Sequence, residues 1–199
     1  MRSITKVVVF AVVCLISSNA MAASYSLVPP DKDLDDLNHY RYYTWGVNTP
    51  WNVVPDSNDQ YEQVIDASLS FSKIRNWDNN PNVLYIHLLD DAPLGVRKGY
   101  DGQGGGDNFA GQGIVLTIYQ NLPSTSQNLS YSFTDEQIAT LNDYAEDGRF
   151  ALGFDPDCHF YNCGVRMDIG TGTAVIPEPA TMAMLAVGGL ALLRRRRRK

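Results

Sequence analysis

Alternation of apolar and polar residues with a period of two runs through much of the chain and constrains its fold more than any other feature. Successive side chains of a strand point to opposite faces, so this pattern puts one face on a core and the other in water. In Ala67-Ser-Leu-Ser-Phe-Ser-Lys73, Ala67, Leu69 and Phe71 share one face and the three serines the other. Gly113-Ile-Val-Leu-Thr-Ile-Tyr119, Leu129-Ser-Tyr-Ser-Phe133, the set Phe150, Leu152 and Phe154, and the set Val165, Met167 and Ile169 continue the pattern. Val83-Leu-Tyr-Ile-His-Leu-Leu89 is apolar on both faces apart from His87, the mark of a strand inside a packed sheet. An aromatic strand is expected from Tyr40 to Val47.

One helix interrupts the strands. Thr134-Asp-Glu-Gln137 is a capping box, Ile138, Leu141 and Tyr144 keep helical spacing, and Gly148 supplies the stop. Strand and helix do not alternate regularly, so the pattern predicts an all-β fold, an antiparallel β-sandwich of jelly-roll type with one short peripheral helix. Asp31 to Asn38 reads as an acidic leader of little order, and Gly170-Thr-Gly-Thr173 as a linker. There is no internal repeat of fixed period.

The two ends carry different signals. Arg2 and Lys6 precede the apolar run Val7 to Ile16, then come Ser17-Ser18-Asn19 and the Ala20-Met21-Ala22 site, the order of a secretory signal peptide over residues 1–22. Cys14 lies inside the apolar run and would leave with it, so lipidation is rejected. At the other end Pro177-Glu178-Pro179 precedes an apolar segment, Ala180 to Leu193, and a basic tail, Arg194 to Lys199. The apolar segment would span about 21 Å as a helix, short for a hydrocarbon core of about 30 Å. The terminal arginines can snorkel to the headgroups, and the positive-inside rule puts them in the cytoplasm.

This order of triplet, apolar segment and basic tail resembles the sorting signal of PEP-CTERM proteins over 175–199. The resemblance implies an integral-membrane exosortase that recognises Pro177, Glu178 and Pro179 and cuts near them, at the surface of an exopolysaccharide-producing Gram-negative bacterium. The chain would pass through the Sec export machinery and signal peptidase, be held transiently in the inner membrane, and end at the cell surface or in the extracellular matrix. Residues 23–174 would be the secreted domain. A segment from Ala67 to Ile169 also looks like the β-sandwich cores of other PEP-CTERM proteins, which brings no established activity.

Of 16 Lys and Arg and 22 Asp and Glu, the terminal signals hold eight basic side chains and Glu178, which leaves the middle of the chain near −13. That charge excludes nucleic acid and anionic membrane surfaces, both of which need a basic footprint. It permits calcium, basic proteins and neutral glycans.

Candidate chemistry falls in three places. Asp155, Asp157 and Asn162 lie with His159 in a turn whose oxygens suit Ca2+, the one cofactor considered; equally, they bond their own backbone. Cys158 and Cys163 in the same turn are a disulfide candidate for an exported protein. Trp77, followed by Asp78, Asn79 and Asn80 in a loop, is a candidate sugar platform, whereas Trp45 on its strand reads as core. Asp101-Gly-Gln-Gly-Gly-Gly-Asp-Asn-Phe109 has neither the lysine of a phosphate loop nor the repetition of calcium nonapeptides, and reads as a mobile loop. His39, His87 and His159 are dispersed, no Gly-x-Ser-x-Gly occurs, and no catalytic residues are assigned.

The expectation is a structural or binding protein of the cell surface or exopolysaccharide matrix, without catalysis. A carbohydrate-binding module is the alternative and predicts an exposed Trp77. A secreted glycoside hydrolase is a weaker one and requires carboxylates from separate strands facing across a cleft.

Overall fold

The computed structural model describes residues 22–30, 33–56, 60–102 and 105–175. Both terminal signals, including the apolar segment 180–193, lie outside the described residues. In chain order the strands are β1 (Ala23–Leu27), β2 (Asp36–Leu37), β3 (Arg41–Asn48), β4 (Gln60–Asn76), β5 (Val83–Leu89), β6 (Gly95–Tyr100), β7 (Ile114–Gln120), β8 (Gln127–Ser132), β9 (Arg149–Pro156), β10 (Phe160–Tyr161) and β11 (Val165–Val175).

Among the described residues the strands form two sheets. In one, the order is β1-β11-β4-β10-β2, with β8 also paired to β4; in the other it is β6-β3-β9-β5-β7. The named strand pairs are antiparallel. Leu69, Phe71 and Met167 of the first sheet share one buried core with Trp45, Leu84, Ile86 and Phe154 of the second. Phe71 meets Phe154 edge-on at 6.1 Å and 85°, the arrangement that aromatic quadrupoles favour.

The first sheet is organised by β4, whose 17 residues serve three partners. Its register against β8 shifts between Phe71 and Ile74, where Lys73 takes a left-handed φ of 51°. Asn128 accepts the Lys73 N–H through its side chain at 2.9 Å, which satisfies the donor that the bulge removes from the ladder. Past that bulge the last two residues of β4 turn to β10.

The helix α1 (Asp135–Tyr144) has the expected capping box, with Thr134 and Gln137 bonding each other's backbone, and it buries Leu141. Asn142 holds it to β4 by bonding both the N–H and the C=O of Val64. A 3₁₀ turn follows, and Gly148 ends it at φ 88°, in the left-handed region that glycine enters without strain.

Two expectations are corrected. The acidic leader contributes β2, which pairs with β10, and its Leu34 and Leu37, three residues apart, are buried in the shared core and dock it. The supposed linker Gly170 to Thr173 is the middle of β11, and Thr171 to Thr173 pair with Val64, Gln63 and Glu62. Small residues there fit a close strand approach, since a Cβ on Gly170 would overlap the Asp66 carboxylate.

Candidate functional site

The end of β4 presents an aromatic face whose composition follows from strand register. Phe160 lies opposite Asn76 and Leu37, and Tyr161 opposite Arg75 and Asp36. Phe160, Asn76 and Leu37 are fully buried, so the alternation turns Tyr161, Arg75 and Asp36 outward together. The Arg75 guanidinium stands over the Tyr161 ring at 4.8 Å. His159 lies 4.5 Å from the same ring, centroid to centroid, and bonds Asp36 through Nε2. Trp77 and His39 each approach the His159 ring at 6.4 Å, and Tyr40 packs on His39 at 4.0 Å.

Trp77 is 54% exposed and sits at the edge of this group. Its position is set from beneath by Asn76, which accepts the Trp77 N–H and donates to Asp78 and to the carbonyl of Asn80. The Trp77 N–H also bonds the carbonyl of His159, which joins the loop to the turn after β9. Asp78 and Asn80 bond each other, and Asn79 accepts from Ser124 at 2.6 Å. These three residues build the turn and are engaged in it, so the polar rim beside Trp77 is His159, Arg75 and Asp36. The sequence reading missed these last two and Tyr161. Arg75 two places before Trp77 and Tyr161 two after His159 were the period-two signal that would have found them.

Asp155 and Asp157 lie together at the end of β9, apart from Asn162. The side chain of Asn162 donates to the carbonyl of Leu34 at 2.7 Å and accepts the Gly164 N–H, which ties the leader to the loop before β11. Asn162 is thus engaged with Leu34 and Gly164, whereas Asp155 and Asp157 are engaged with the glycine-rich loop. Asp157 instead accepts the N–H of Gly105 at 2.9 Å, and Asp155 Oδ2 accepts that of Asn108 at 2.8 Å. The glycine-rich loop is thus fastened to β9 at the described positions. Phe109 is buried against Gly153, where a Cβ would come within 2.9 Å of its ring.

Two further carboxylates join them from the loop. Asp107 bonds buried His87 at 3.0 Å, and Asp101 lies against Asp155. Asp155 is fully buried, and that burial, with Asp101, Asp157 and Asp107 near, pushes its carboxyl up to about 7, against the lowering effect of the Asn108 N–H. Burial raises Asp101 in the same direction. Asp155 Oδ1 and Asp101 Oδ2 receive no donor from another residue, and the two carboxyls bond each other through the proton that Asp155 retains. Among the described residues no three His, Cys, Asp or Glu side chains converge at the spacing of a metal site.

Cys158 and Cys163 are free thiols, so the disulfide candidate is corrected as well. Cys158 turns into the core, whereas Cys163 is exposed beside Asn162 and Val28. The backbone between them is already ordered by β10 and by the bond from the Cys163 N–H to Ser72, so the turn closes without a covalent staple.

Residues 175–198 match the family model described as PEP-CTERM protein-sorting motif. The chain therefore carries a PEP-CTERM sorting signal and is an exported, envelope-associated substrate of an exosortase. No curated protein matches the chain. Among solved structures it is similar to recombinant latent aurone synthase, a polyphenol oxidase, at 9% identity and TM-score 0.37, over 72% of this chain and 26% of that one. The same enzyme from its natural source aligns at 10% identity and TM-score 0.36, over 71% and 26%. The chain thus spans about a quarter of those proteins, and likenesses this distant carry no argument about its activity. Among the described residues no helix is long and apolar enough to cross a membrane.

Proposed function

We propose that the protein is a non-catalytic, carbohydrate-binding component of the cell surface or exopolysaccharide matrix, delivered there by its sorting signal after removal of a signal peptide. Its strand nesting, β1-β11-β4-β8 facing β3-β9-β5-β7, supports reading the all-β fold as a jelly roll. The exposure of Trp77 beside His159 and Tyr161 carries the reading. Aromatic rings offer apolar faces to the C–H side of a sugar, while Arg75, His159 and Asp36 supply donors and acceptors at the rim. Net negative charge over the rest of the domain favours a neutral or basic glycan over an acidic one.

A hydrolase is less well supported. The carboxyls of Asp101 and Asp155 are in hydrogen-bonding contact, closer than the roughly 5 Å or wider separation that glycoside hydrolysis uses. Glycan binding is tested by affinity electrophoresis of the purified protein through gels containing the producer's own exopolysaccharide and neutral reference glycans. Trp77→Ala and Tyr161→Ala are each expected to weaken retardation about ten-fold, the scale of an aromatic anchor in a binding surface. Retardation unchanged by both substitutions would remove the aromatic face from consideration.

A further inference from the structure

An enzyme that reads a linear motif takes it as an extended segment, so the chain around the motif has to be free of its own fold. Here the matched sorting signal begins at Val175, which is also the last residue of β11 and pairs with Gln60 of β4. Pro177 follows two places later, at most about 7 Å from the sheet even with the chain fully stretched. A cleft that holds several residues ahead of the triplet would therefore meet the folded domain.

The end of β11 is weakly held. Its ladder with β4 shifts register between Gly170 and Thr171, which leaves Ile65 of β4 opposite no residue and separates the last rungs from the main ladder. β1 covers the other edge of β11 only as far as Thr171, opposite Ala23, so beyond it β4 is the one strand partner among the described residues. Thr171 is pinned, its hydroxyl donating to Glu62, which also accepts from Tyr25. Past it come Gly172, which has no side chain, and Thr173 and Ala174, which are small and half-buried. β4 has other holds over the same stretch: the Asn52 carbonyl accepts the Glu62 N–H, and Asn142 bonds both the N–H and the C=O of Val64. Opening here releases β11 and leaves β4 in place.

We propose that residues 172–175 are a releasable end of β11, hinged at Thr171, which unzips from β4 when the exosortase takes Pro177, Glu178 and Pro179. Freeing these four residues extends the reach of the triplet from the sheet by about 13 Å. The release serves sorting alone and is independent of glycan binding, because the aromatic face lies at the opposite end of β4, at Asn76.

The test locks the rungs. Ala174 lies opposite Tyr61, so Ala174→Cys with Tyr61→Cys places two thiols across the ladder, in a full-length chain that also carries Cys163→Ser to remove the exposed native thiol. Precursor and processed forms are followed in the producer by pulse-chase and non-reducing electrophoresis. The crosslinked chain is expected to be processed at least about ten-fold more slowly than either single-cysteine variant, and to recover when reductant is added. A flexible spacer of about ten Gly and Ser residues between Val175 and Ile176 is expected to relieve the block without reductant. If the crosslink does not form or the variant does not fold, hydrogen exchange of the full-length parent in mild detergent carries the test, with amides of residues 172–175 expected to exchange at least about ten-fold faster than those of 165–170. Crosslinked precursor processed at the parental rate, a block that the spacer leaves intact, or equal exchange along the whole of β11 overturns the release.

Discussion

Asp155 concentrates the cost of this fold in one side chain. Its carboxyl titrates at about 7 in the folded chain against an ordinary 3.8, so the folded state binds the proton more tightly than the unfolded one. The stability this contributes is complete below 3.8 and is lost as pH rises through about 7. Thermal melts in chelator should therefore show the unfolding temperature falling from pH 5 to pH 8, and Asp155→Asn should flatten that slope. A slope that survives the substitution would place the titrating group elsewhere. Asn76 works in the opposite sense: fully buried, it meets its polar requirements within the turn and so fixes the direction in which Trp77 leaves the sheet. Neither role was legible from residue type. The sequence marked Asp155 as a candidate ligand, but the partners it would share came from a loop about fifty residues away, which spacing does not encode.

At the scale of the element, local rules and tertiary rules divide cleanly. The helix α1 was legible because its determinants are neighbours: a threonine cap, a glutamine three places on, and a left-handed glycine after the last turn. Thr134→Ala should cost about 1 kcal/mol, the usual loss for a cap, measured by denaturant unfolding at constant m-value. A cost near zero would mean that the Asn142 clamp on β4, not the cap, holds the helix. Strands with strong alternation were equally legible, and β5 runs over the predicted Val83 to Leu89. β1 alternates as the predicted strands do, with Ala23, Tyr25 and Leu27 on one face and Ser24 and Ser26 on the other, and was overlooked, whereas β6 carries glycine and charge and becomes a strand where β3 offers it an edge. The Gly170 to Thr173 segment was misread for the same reason: its small residues look like a linker until β4 lies beside them.

For the whole molecule, the sorting signal and the folded domain pose separate questions. The signal is linear, with the triplet, the apolar segment and the basic tail contiguous in the matched residues 175–198. Replacing Pro177 and Pro179 together with alanine should leave the domain's unfolding temperature unchanged while full-length precursor accumulates in envelope fractions, read as a slower-migrating band. Normal processing of that variant would separate this chain's fate from its PEP motif. The domain's candidate activities, by contrast, depend on the two sheets being closed. That closure rests on the shared core around Phe71 and Phe154, while pairing of β6 and β9 to β3 within one sheet brings the loop after β6 to the end of β9.

Read alone, the chain determined its address, its all-β class and the position of its helix, because each rests on contiguous residues: a terminal motif, a period of two, and a cap. Only the tertiary structure decided that Cys158 and Cys163 point to different sides, that Asn162 braces the leader, that Trp77 joins Tyr161 and Arg75 in one face, and that Asp101 meets Asp155. Each of these depends on strand register or loop closure, where a shift of one residue turns every side chain to the opposite face, and pairing between distant strands sets that register.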